Sequence, residues 1–114
     1  MRVYYLILRA APTADNPDVD ALERGMARFW VRDKSPESAI DRAKHYLSSY
    51  EWTFESVLHE PIETSLRDYP PLGYPPDPDL MNFQKAQRSG VALHLVALAR
   101  PGVLEPDTVV VRQL

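Results

Sequence analysis

The 114-residue chain has no cysteine, which excludes disulfides, a thiolate nucleophile and cysteine-held metal sites. The same lack fits a reducing cytoplasm, the expected location. Glycine is scarce as well: four residues stand alone at Gly25, Gly73, Gly90 and Gly102. No glycine-rich phosphate loop is therefore present. Long apolar runs are missing. Val3 to Leu8 is too short for a secretory signal core and is followed by Arg9. Val91 to Ala99 contains His94 and has less than half the length that spans a bilayer. There is no basic run either. Thirteen basic and sixteen acidic residues are well mixed, for a net charge of −3. That balance argues against nucleic acid or an anionic membrane as the main partner. No cofactor and no metal are expected, since Asp15, Asp18 and Asp20 lack the glycine and distal glutamate of a calcium loop.

What is present suits one domain over residues 1–114, with 45% hydrophobic residues to supply its core. The chain is organised around a helix. Ser35 is its expected N-cap, Pro36 its first residue and Glu37 an acid in its positive first turn. Ala39, Ile40, Ala43, Tyr46, Leu47 and Tyr50 then recur at spacings of three and four, within an arc of roughly 120°. A strand precedes the helix, where Ala27, Phe29 and Val31 alternate with Arg28, Trp30 and Arg32. Another follows from Trp52 to Glu60, and Pro61 ends it or marks an edge. This strand–helix–strand unit predicts a parallel crossover.

Val3 to Ala10 is apolar on both faces and predicts a central strand. Pro12 to Asp20 is an acidic loop, with a short helical turn over Asp18 to Arg24 that Gly25 ends. Thr64 to Pro78 carries Tyr-Pro-Pro twice, at Tyr69 and Tyr74, and predicts a stiff crossing of the surface without helix or strand. Asp77, Pro78 and Gly90 bracket a second helix, with Leu80, Phe83, Ala86 and Gln87 as its stripe. Val91 to Ala99 and Thr108 to Arg112 are the last strands, joined through an Arg100-Pro101-Gly102 turn. The order β-β-α-β-α-β-β predicts an α+β two-layer sandwich. It has a mixed four- to five-stranded sheet with both helices on one face, related to ferredoxin-like sandwiches without their simple βαββαβ order.

No catalytic constellation is visible. His45 lies on the polar side of the first helix, and His59 on a half-exposed strand face. His94 interrupts an apolar strand and needs either a hydrogen-bond partner or a wet cavity. Tyr4, Tyr5 and Glu55 are its candidate neighbours. Arg28, Trp30 and Arg32 form a ladder on the face opposite the first helix. A large aromatic there calls for a second layer: a loop, the Tyr-Pro-Pro segment or another subunit. The candidate binding residues are therefore His94, Trp30, Arg28, Arg32, Tyr69 and Tyr74. The expected function is a non-enzymatic binding or protein-interaction domain that self-associates through its sheet as a homodimer. One alternative is a small enzyme or ligand-binding dimeric α+β barrel, with a pocket around His94 closed by the Tyr69–Tyr74 loop. Another is an immunity- or inhibitor-type protein whose acidic surface meets a basic partner.

Overall fold

An apolar strand with two greasy faces belongs inside a sheet, and β1 (Arg2–Pro12) lies there in the computed structural model. The structure describes residues 1–71, 73, 75–99 and 109–114, with backbone only at 109 and 110. β2 (Leu22–Asp33) and β3 (Trp52–Thr64) flank β1. Beyond β2 follow β4 (Val91–Ala99) and β5 (Val109–Gln113), giving the order β3-β1-β2-β4-β5. Every hydrogen-bonded pair is antiparallel. The sheet is thus antiparallel throughout rather than mixed. β2 and β3 do run in the same direction, but β1 sits between them.

The two helices begin as the sequence predicts. In α1 (Pro36–Ser48) the Ser35 hydroxyl accepts from the Ser38 N–H at 3.1 Å. In α2 (Pro78–Ser89) the Asp77 carboxylate accepts from the Leu80 N–H at 2.9 Å. Gly90 ends α2 at φ 96°, in the left-handed region that favours glycine. Ala39, Ala43 and Leu47 of α1 bury against Tyr4, Leu6, Leu8, Phe29, Val31 and Leu93.

The second helix lies elsewhere than expected. Leu80, Phe83 and Ala86 of α2 bury with Val3, Trp30 and Ala92, which alternate with the α1-facing residues along β1, β2 and β4. Helices therefore cover opposite faces of the sheet, not one. The physical reason is Trp30: with α1 filling the other face, α2 and Tyr69 are what bury its ring completely.

Three local readings also change. Gly25 stands inside β2 rather than ending a helical turn. A Cβ there would meet Leu95 Cδ1 at 3.0 Å and Trp52 Cζ3 at 3.1 Å, so the missing side chain makes room for the Trp52 ring. β3 runs past Pro61 to Thr64 as an edge strand, and its alternation breaks where Val57 faces Leu8 and His59 faces Ile7, leaving Leu58 as a bulged residue. Leu66–Asp68 forms a short 3₁₀ turn, where a structureless crossing was expected. Tyr74, Arg100 to Gly102 and Thr108 lie outside the described residues.

Candidate functional site

The face under α2 is built in rows across the strands. Tyr5, Trp30 and Ala92 form one row; Ile7, Arg28, His94 and Gln113 form the next; Arg9, Met26, Val96 and Val111 form a third. Arg24 and Leu98 come last. α2 starts beside the Arg28 row and runs away from the later rows, ending where the Gln87 carbonyl accepts from Arg32. Among the described residues, one end of this face is thus covered and the other is bare.

Arg28 stands at the boundary. Its Nε donates to the Tyr5 hydroxyl at 2.9 Å, and one terminal nitrogen donates to Asp79 at 2.8 Å. The other lies 3.4 Å from His94 Nδ1. The guanidinium carbon also sits 5.0 Å from the Trp30 ring centre and 5.6 Å from that of Tyr5. Burial works against the Arg28 charge, but the bonds and charges of Asp79 and Tyr5 outweigh it and hold the group above its ordinary value. His94 is pushed down, first by burial and then by the Arg28 charge, with Asp79 opposing.

Tyr69 closes the covered end. Its hydroxyl accepts from Trp30 Nε1 at 3.0 Å and from Thr64 Oγ1 at 2.9 Å. Its ring lies 5.1 Å from that of Phe83. Burial pushes the Tyr69 hydroxyl up, and the charges of Asp79 and Asp68 push the same way, against those hydrogen bonds. Asp68 is held by the Ser65 N–H at 2.7 Å, which lowers its carboxyl below the usual range. Between these groups and Ile62 opens a cleft of about 370 Å³.

Of the six candidate residues, Arg28, Trp30, His94 and Tyr69 are joined into one contact network. Arg32 is apart from them, at the C-terminal end of α2, where its carbonyl also accepts from Arg42 at 3.1 Å. Tyr74 lies outside the described residues. The partners found for His94 are Arg28 and, through space, Asp79, rather than Tyr4 or Glu55. Asp79, Thr64 and Asp68 were not foreseen. The sequence signal for Asp79 is its place in the first turn of α2, where an acid also suits the helix dipole and so attracts no notice.

The bare end is apolar. Leu58, Leu98 and Val111 are each more than half exposed and Met26 is 38% exposed. A shallow groove of about 320 Å³ is lined by Arg9, Arg24, Met26, Leu58, Val96 and Leu98, with Arg9 on β1 standing between the strands that carry Leu58 and Met26. Both arginines reach the same Glu55 oxygen only at 3.8 Å, too far for a hydrogen bond.

No helix of the described residues is long and apolar enough to cross a membrane. The chain matches no protein-family model, and no curated protein or solved structure is significantly similar to it.

Proposed function

We propose that the chain is a non-enzymatic binding domain of the cytoplasm that self-associates through its sheet as a homodimer. The observation that supports this reading is the bare end of the α2-side face. Exposed apolar residues gathered on a sheet face, here Met26, Leu58, Leu98 and Val111 among the described residues, are one mark of a contact site. The Arg28 network fits the same reading, since its groups satisfy one another: the guanidinium is spent on Tyr5, Asp79 and His94. Sedimentation equilibrium of the intact chain should show a monomer–dimer exchange in the micromolar range, and Leu98→Lys should abolish it. A chain monomeric at high micromolar concentration would refute the reading.

A second reading, a ligand-binding domain, is favoured by the cleft under Tyr69, whose volume lies in the range of small-molecule sites. Its pocket is centred on Tyr69 and Arg28, with His94 behind the arginine rather than at the centre. A fragment screen that shifts the Trp30 indole N–H resonance would favour it; indifference of that signal would remove it.

A further inference from the structure

Resting on the ligand-binding reading, we infer that the cleft under Tyr69 takes a small organic cation, an amine carried on a single apolar ring. Size and walls are the first ground. At about 370 Å³ the cleft stands near the lower end of the range for small-molecule sites, which suits one ring with a short arm. Its apolar surface comes from the half-buried rings of Tyr5 and Tyr69 and from Ile62, which is 56% exposed. Rigid rings of this kind hold an apolar body at low entropy cost.

The second ground is what the charged groups leave unspent. Arg28 is the one basic residue among the described residues that line the cleft. Its three nitrogens are engaged, by Tyr5, Asp79 and His94. No edge of the guanidinium is left for the bidentate grip by which arginine takes a carboxylate or a phosphate. The carboxylates differ. Glu63, Asp68 and Asp79 all line the cleft. Every described bond to Asp68 falls on Oδ2, and Arg28 takes Oδ2 of Asp79. Among the described contacts, Oδ1 of each is unbonded. Arg2 reaches Glu63 only at 3.7 Å, with both side chains more than half exposed, so an incoming amine can take its place. The Arg67 charge is the least of the influences on Asp68.

The third ground is that this place already stabilises a cation. The Arg28 guanidinium lies over the Tyr5 and Trp30 rings and keeps its charge more firmly than a free arginine, although burial opposes it. A ligand amine meets the same surroundings, with aromatic walls beside ionised carboxylates.

Benzylamine, benzyl alcohol and benzoate share one ring and carry a positive charge, no charge and a negative charge at neutral pH. Each is titrated into the full chain while the Trp30 indole N–H resonance is followed; the Trp52 indole, buried on the α1 side, is the control. Benzylamine should shift Trp30 and bind about three- to tenfold tighter than benzyl alcohol at low salt, and the ratio should fall at high salt. Benzoate should bind weakest. In the double variant Glu63→Gln, Asp68→Asn the ratio should fall toward one. The new amide oxygen still accepts from the Ser65 N–H, so the turn that carries Tyr69 is kept. Equal binding of amine and alcohol, tighter binding of benzoate, or an undiminished ratio in the double variant would overturn the cationic class while leaving the cleft a ligand site. A Trp30 signal that none of the three moves would overturn the ligand-binding reading itself, and this inference with it.

Discussion

Trp30 is wholly buried yet has an N–H to satisfy, and only Tyr69 satisfies it among the described contacts. A buried donor left without a partner costs about 1–3 kcal/mol. Tyr69→Phe should therefore destabilise the domain by about that amount in urea denaturation, although the ring and its contact with Phe83 remain. A change within error would mean that the hydroxyl pair contributes nothing. His94 makes a second residue-scale test. Its pKa in the folded chain lies below the ordinary value of 6.5, through burial and then Arg28. The unfolded chain therefore takes up the proton first. The associated stability is whole above the unfolded value and is lost as pH falls through the folded one. Between about pH 7 and pH 5, His94→Gln should flatten the decline in stability of the native chain. Parallel declines would show that His94 carries no part of it.

At the scale of elements, α1 shows its energetics most plainly. Leu47 is fully buried against the sheet, whereas His45 is exposed. Leu47→Ala should cost about 2–4 kcal/mol through the cavity it leaves. His45→Ala should change stability by less than about 0.5 kcal/mol. Equal losses in chemical denaturation would mean a different buried face. Gly25→Ala tests the seat of Trp52: the added methyl meets ring and leucine carbons at 3.0–3.1 Å, and overpacking of this kind costs about 1–3 kcal/mol. These elements also show what a sequence carries. Ser35, Pro36, Asp77 and Gly90 act on backbone groups within a turn of themselves, so the helix ends could be read directly. The role of Gly25 could not, because its contact is with a ring 27 positions away that only strand pairing brings near. Nor could the side on which α2 lies. β2 is apolar on both faces, with Phe29 and Val31 on one and Trp30 on the other, and either face could have taken the helix. The Leu58 bulge was hidden for a similar reason: alternation is assumed until a register shift breaks it.

The whole molecule is a five-stranded sheet clamped between α1 on one face and α2 on half of the other. Arg28, Trp30, His94 and Tyr69 could each be singled out from the sequence as awkward residues for their surroundings. That they belong together depends on register, which sets Arg28 beside His94, and on the 64–69 turn, which folds Tyr69 over Trp30. The apolar end was not legible as a patch, because its members come from four strands spread along the chain. The central claim is that this end is the surface on which two copies meet. A dilution series of amide NMR spectra, from roughly 20 µM to 1 mM, spans the affinity expected of such a contact. Amides of Met26, Leu58, Val96, Leu98 and Val111 should shift with concentration while those of α1 stay fixed. Spectra independent of concentration, or shifts gathered on α1, would contradict the account.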